Sequence, residues 1–287
     1  MTIFLQQVIN GLVLGSSYSL IALGLTMIYG ILYIANFAHG PIYMMGAFVC
    51  YFALTLLGTP YFLSIFISMG AITLLGILAE RMVFRPLRNA PHTTGFIGAL
   101  GLFILLENVA AILWGHDFRT FPPIYTEVIR ISGISLTLQR FLVILLSVVL
   151  IMALNLLIRR TALGRSIRAV AQDRIAAALV GISVSNISMI TFGLGSALAA
   201  AAGALLGPIF VVSPTMGTVP ILKAFVVVIL GGMGSIPGAI LGGYILGIVE
   251  SLGAGYISSK YMDLYAFVIL LLVLAIRPQG LMGKSIR

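Results

Sequence analysis

"RFLVILLSVVLIMALNLLIRRTALGRSIRAVAQDRIAAALVGI", residues 140–182, changes character at Arg159. Residues 140–158 hold one charge, Arg140, and are otherwise almost wholly apolar; residues 159–174 hold five arginines and one aspartate. An apolar run of about 17–25 residues can cross a bilayer as an α-helix, because a helix satisfies its own backbone groups where no water can. Arginines are costly in hydrocarbon, so those that follow hold this end of the span in water. The fold is decided by the recurrence of this unit, an apolar span followed by a short polar or basic segment.

The unit recurs throughout. Of 287 residues, 61% are hydrophobic and 8% charged, against the roughly 25% charged residues of ordinary soluble domains. Mean hydropathy is +1.18. The expected fold is an all-α polytopic membrane protein of eight or nine transmembrane helices, one transmembrane domain over 1–287, with spans near 5–29, 40–57, 61–80, 95–114, 140–158, 186–206, 221–231, 237–256 and 263–277. The strict apolar/polar alternation of a membrane β-barrel is absent. "MTIFLQQVINGLVLG", residues 1–15, lacks a basic leading region and reads as a retained first span. Cys50 is the single cysteine, which excludes an intrachain disulfide and suits a small buried residue.

The net charge of +9 sits in short interhelical segments and accompanies no nucleic-acid-binding motif, so it serves first to orient the chain. Arg81, Arg85 and Arg88 in "ERMVFRPLR" mark one cytoplasmic loop, residues 159–185 a second, and Arg277, Lys284 and Arg287 a cytoplasmic C-terminus. Span parity, with the short seventh span counted, then sets the N-terminus outside. The longest external segment is 115–139; its "TEVIRISGISLTL", residues 126–138, predicts a small hairpin turning at Ser132-Gly133. It is either a docking surface or a lid over the helix ends.

Two interruptions resemble each other. "PIYMMGAF" from Pro41 and "PGAILGGY" from Pro237 each carry a glycine five residues on (Gly46, Gly242) and an aromatic two further (Phe48, Tyr244), each after a break, "ANFAHG" or "GGMGS". Paired interrupted helices suggest an internal repeat around a midplane pathway. Irregular backbone at that depth must be covered by protein or line a wet cavity, which brings Gly234 and Ser235 to notice. Asn36, His39 and Gly40 open the helix at Pro41; a free helix N-terminus there could hold a carboxylate, or the side chains could simply cap the break. Ser16 and Ser19 share a face of the first span and serve helix packing or line the pathway. Glu107 and Glu250 lie within spans, and Lys223 near the start of the short seventh; interhelical bonding, snorkelling of the lysine and a gating role compete as explanations.

Within the second basic loop, residues 164–180 predict one amphipathic helix. Ile167, Ala171, Ile175 and Ala178/Leu179 form one stripe, Arg165, Arg168 and Gln172 another, and Gly181 ends it. Topology alone needs no such pattern, and its Ala/Ile side is smaller than that of lipid-inserting helices, which favours docking to a cytoplasmic partner.

"ALGRSIRAVAQDRIAAALVGISV" (162–184), "ERMVFRPLR" (80–88), "NFAHGPIYMMGAF" (36–48) and "GGMGSIPGAILGG" (231–243) resemble, in order over about 8–280, signatures of the LivH-type permeases of ABC importers for branched-chain amino acids. The resemblance implies a translocation subunit in the inner (plasma) membrane of a bacterial-type cell that works by alternating access, paired with a homologous permease, two ATPase subunits and an external substrate-binding protein. In that family this loop engages the ATPase, which here implicates Arg165, Arg168, Arg174, Ile175, Ala176, Ala177 and Gly181. Where many ABC permeases carry Glu-Ala-Ala-x-x-x-Gly, this chain has Ile175 in the acidic position, so the resemblance implies apolar docking flanked by arginines. The resemblance calls for no cofactor. No G-x-x-x-x-G-K-[ST] nucleotide motif occurs, "GLGSALAAAAG" (193–203) being a packing segment, so ATP must bind another polypeptide. No H-E-x-x-H occurs, and His39, His92 and His116 are scattered, which argues against a hydrolase. The rival class is a secondary transporter or channel acting without an ATPase; neither Glu107 nor Glu250 shows a partner in the sequence that would make it a proton-coupling pair.

Overall fold

A computed structural model describes residues 2–131 and 133–283. Eleven α-helices follow one another: α1 (Thr2–Leu32), α2 (His39–Thr55), α3 (Tyr61–Ala79), α4 (His92–Trp114), α5 (Leu138–Arg160), α6 (Ala162–Gln172), α7 (Arg174–Leu179), α8 (Val184–Leu206), α9 (Thr218–Gly231), α10 (Ile236–Tyr256) and α11 (Met262–Ile276). Seven helical segments are long and apolar enough to cross a membrane. The remaining two apolar helices are α2, with 17 residues, which follows the first chain break, and α9, with 14, which runs into the second. These nine helices correspond to the nine expected spans.

The layering follows a rule that differs from soluble proteins. Lipid is as apolar as leucine, so helices associate through small residues that let backbones approach, and large side chains face outward. α1 and α8 are the buried centre, rich in Gly, Ala and Ser; α4, α5 and α11 lie outside with exposed Leu, Ile and Phe. α1 runs antiparallel to α10 along a seam of glycines: a Cβ on Gly11 would lie 2.6 Å from Ile248 Cα, and one on Gly15 2.8 Å from Tyr244 Cα. α8 packs on α2 where Gly46 meets Ala200, and on α3 where Tyr61 Oη donates to the Ala204 carbonyl at 3.1 Å.

α3 continues into a π-turn, Glu80–Phe84, and a 3-10 turn, Pro86–Asn89. Beyond α4 an antiparallel hairpin pairs β1 (Val128–Ile131) with β2 (Ile134–Thr137), Ile131 opposite Ile134. Gly133 takes φ +85°, as a two-residue hairpin turn requires; Ser132, with Lys284 and Arg287, lies outside the described residues. The termini of α3 and α5 that carry the arginine clusters lie at one end of the bundle, and the hairpin lies at the other, where Gln6 of α1 donates to the Ser135 carbonyl at 3.0 Å.

Pro41 and Pro237 both fall in the first turn of a helix, where a missing N–H costs nothing. Their surroundings differ. Gly46 faces α8, whereas Gly242 faces Val227 and Leu230 of α9.

Candidate functional site

The arginine-rich loop folds as two helices rather than the single one that its spacing predicts. Asp173 leaves helical geometry at φ −156°, ψ 114°, and its Oδ1 accepts from the N–H groups of Ile175 (2.8 Å) and Ala176 (3.0 Å). An aspartate that offers its side chain to the next turn starts a new helix instead of extending the old one. The signal was legible in "QDRIAA", because Asp is among the strongest N-caps.

The break redirects the stripe. On α6, Gly164, Ile167 and Val170 are buried against the bundle; on α7, Ala177 is buried but Ile175, Leu179 and Val180 are 76%, 84% and 77% exposed. Ile167 and Ile175, expected on one face, therefore look in different directions. Ala176 is exposed as well, and Gly181, φ +83°, turns the chain toward α8.

The two helices are tied to the spans. Thr161 Oγ1 caps α6 by accepting from Gly164 N–H at 3.0 Å, and Gly164 fits under the Leu157 and Ile158 carbonyls where a Cβ could not. Arg168 donates to the Ile158 carbonyl and Arg174 to that of Ile31, each placing a cation at the negative end of a helix, α5 and α1 respectively. The Arg174 guanidinium lies 5.6 Å from the Tyr33 ring centroid, and Tyr33 Oη donates to the Ala171 carbonyl at 3.0 Å. Burial pulls the Arg174 pKa below its ordinary value, with the Arg88 charge adding to the effect. Arg88 belongs to the first basic loop and pairs at 2.8 Å with the buried Glu80. Arg165 stays exposed.

The membrane-embedded candidates are dispersed. Ser16 donates to Tyr244 Oη at 3.3 Å and Ser19 to the Ile240 carbonyl at 3.1 Å, so both serve the α1–α10 seam. Asn36 and His39 are fully buried, yet neither caps α2, whose N-cap position is Ala38 without a side-chain bond. Among the described residues both polar atoms of Asn36 lack a partner, and so do both ring nitrogens of His39, which packs on Gly24 near the Ile21 carbonyl. Gly40 touches Gly217, so α2 and α9 meet N-terminus to N-terminus; a Cβ on Gly40 would lie 2.7 Å from the Gly217 carbonyl. Glu107 accepts from Thr218 Oγ1 at 3.3 Å. Gly234 and Ser235 line a cavity of about 600 Å³ at the arginine-rich end, between α1, α5, α6 and α10, with Tyr33, Asn155, Arg159 and Arg168.

Glu250 has a partner that the sequence conceals. Lys223 Nζ lies 3.1 Å from Glu250 Oε2 and 2.9 Å from Asp263 Oδ1, and Tyr18 Oη donates to Glu250 at 2.8 Å. Lys223 does not snorkel freely; it is buried and bridges α9 to α10 and α11, while Tyr18 adds α1. Nothing in the spacing joins residues 18, 223, 250 and 263. The one available hint was that α9 and α10 each carry a single ionisable group of opposite sign.

Residues 7–276 match the family described as "Branched-chain amino acid transport system / permease component". The chain is 39% identical over 295 residues to the high-affinity branched-chain amino acid transport system permease protein LivH of Escherichia coli, covering 98% of this chain and 96% of that one. It is 38% identical, with the same coverage of both, to BraD of Pseudomonas aeruginosa, and 29% identical to a probable LivH of Methanocaldococcus jannaschii over 97% of this chain and 92% of that one. On this correspondence along the whole bundle, loops and breaks included, the chain belongs to the branched-chain amino acid transport permease family.

Proposed function

We propose that the chain is the membrane-spanning permease subunit of an ATP-driven importer of branched-chain amino acids, or of closely related small amino acids or amides, delivered by an external binding protein. The observation that carries the reading is the α6–α7 pair: a six-residue helix that, with its C-cap Val180, sets three large apolar side chains in water, ringed by arginines and bolted to two spans. Bare Ile, Leu and Val on a water-facing loop call for a covering surface. The groove of an ATPase subunit supplies one, and Arg168 and Arg174 flank it in place of the missing glutamate.

The bonds suggest how force travels. A push on α7 reaches α1 through Arg174 and Ile31, and α5 through Arg168 and Ile158. α1 borders α10 along its glycine seam, so tilting α1 would open one end of that seam while closing the other. In this scheme the arginine-rich end is cytoplasmic, the N-terminus and hairpin are external, and the cavity beside Gly234 and Ser235 is the exit. The head-to-head α2 and α9 termini, with Asn36 and His39, form the pivot between the halves. The assembly contains a second, homologous permease and two ATPases. A proton-coupled carrier is disfavoured because Glu250 is held by Lys223 rather than left free to exchange a proton.

The test is co-purification of the tagged chain from native membranes in gentle detergent, beside leucine uptake. The intact chain should bring down an ATPase and a second permease. Ile175→Asp should lose the ATPase and uptake while remaining in the membrane, and normal uptake by that variant would reject the docking role.

A further inference from the structure

A second cavity, of about 210 Å³, opens at the end of the bundle opposite the arginine clusters, where α1, α5, α10, α11 and the 207–217 segment converge. It is smaller than the roughly 300–1,000 Å³ of pockets for drug-sized ligands, which suits a solute of a few heavy atoms. Its lining divides sharply into two chemistries. Gln7, Asn10, Arg140 and Ser251 form a polar wall, and Val13, Leu14, Ile209 and Phe210 an apolar one.

Arg140 is the sole charged residue of the lining. It stands in the first turn of α5, where the helix dipole is itself positive and a cation is disfavoured, so the two effects add to draw an anion. One guanidinium N–H is used: Nη1 donates to Asn10 Oδ1 at 3.0 Å. Among the described residues the side chain makes no other hydrogen bond, so its remaining donors are free for a ligand. The rest of the polar wall is braced. Gln7 Oε1 accepts from Ser251 Oγ at 2.9 Å and Asn10 Nδ2 at 3.5 Å, and Ser251 Oγ also lies 2.7 Å from the Gln7 carbonyl. Ser251 Oγ, the donor in this brace, keeps its own lone pairs for an ammonium, whereas the amide oxygens are occupied, Asn10 Oδ1 by Arg140 and by Gln6 Nε2 at 3.4 Å.

We infer that this cavity is an entry subsite for a zwitterionic aliphatic amino acid, with the carboxylate on Arg140, the ammonium on Ser251 Oγ, and the hydrocarbon side chain against Val13, Leu14 and Phe210. The inference rests on the permease reading, and on that reading's assignment of this end as external. An amino acid released from the binding protein would meet here the same pairing of charge and apolar surface that it carries. The phosphate of a lipid headgroup shares the anionic chemistry but not the aliphatic side chain.

The experiment is cysteine protection in membrane vesicles carrying the whole transporter, without added binding protein. Cys50 is fully buried, so labelling by a membrane-impermeant thiosulfonate reports an introduced Phe210→Cys or, should that variant fail to fold, Ala254→Cys. Saturating L-leucine should slow labelling several-fold, whereas leucinamide and glycerol 3-phosphate should not. Adding Arg140→Gln should weaken leucine protection about ten- to hundredfold, as expected for loss of a hydrogen bond to a charge, and Arg140→Lys should restore part of it. Leucine uptake without leucine protection would overturn the subsite and leave the permease reading intact. Protection by glycerol 3-phosphate equal to that by leucine would make this a headgroup site and overturn it too. Absence of leucine uptake by the unaltered transporter in parallel vesicles supplied with its binding protein would bring down the permease reading itself.

Discussion

Lys223→Met isolates the energetics of the buried cluster. The substitution keeps an unbranched side chain only one heavy atom shorter and removes the charge that faces Glu250 at 3.1 Å and Asp263 at 2.9 Å. Glu250 is wholly buried and would be left with only the Tyr18 hydroxyl, and breaking a buried pair from one side costs about 3–5 kcal/mol. Asp263 is 64% exposed, so its half of the bridge contributes about 0–1 kcal/mol. In purified protein, thermal unfolding of Lys223→Met should therefore fall by roughly 6–20 °C at about 2–4 °C per kcal/mol. Asp263→Asn should shift it by only a few degrees. Lys223→Met combined with Glu250→Leu removes both buried charges and should recover most of the loss, giving a coupling energy of at least about 2 kcal/mol in the double-mutant cycle. Additive losses, or a Lys223→Met no worse than Asp263→Asn, would refute the reasoning that Lys223 and Glu250 act as a coupled buried pair between α9 and α10.

Asp173→Ala removes the acceptor of two N–H groups at about 1 kcal/mol and should let α6 run into α7; uptake should fall several-fold at unchanged membrane level, and full uptake would show that the bend is dispensable. Arg88→Ala leaves Glu80 buried without its partner and should lower thermal stability by about 3–5 kcal/mol, a loss that Glu80→Gln in the same chain relieves; equal stability of single and double variants would count against it. Gly247→Val drives a side chain into the Gly11 and Gly15 backbone and should abolish the monodisperse peak in size-exclusion chromatography, while Gly101→Val, with nothing within 4 Å, should leave it unchanged.

The spans were legible because hydrophobicity is a local property: an apolar run of the right length must cross the bilayer as a helix, whatever it later packs against. The basic loops, the shortness of α9, the proline-led starts of α2 and α10 and the hairpin at Gly133 were legible for the same reason, each being set by residues within a few positions. Asp173 is an equally local signal, but the apolar stripe of 164–180 continues across it and masks both the break and the outward turn of Ile175. Which face of each helix looks inward was not legible, because lipid and protein interior are both apolar and leave little amphipathic contrast; small residues were the remaining guide, and they led Ser16 and Ser19 to α10. The pairing of Lys223 with Glu250, the meeting of Gly40 with Gly217, and the Arg140–Asn10 bond in the cavity wall join residues 27, 177 and 130 positions apart. The sequence by itself determined what must lie in the membrane and what must stay in water. Only the tertiary structure decided which charges neutralise each other and where space remains, since both depend on helix rotation and crossing, which side-chain packing sets and chain order does not.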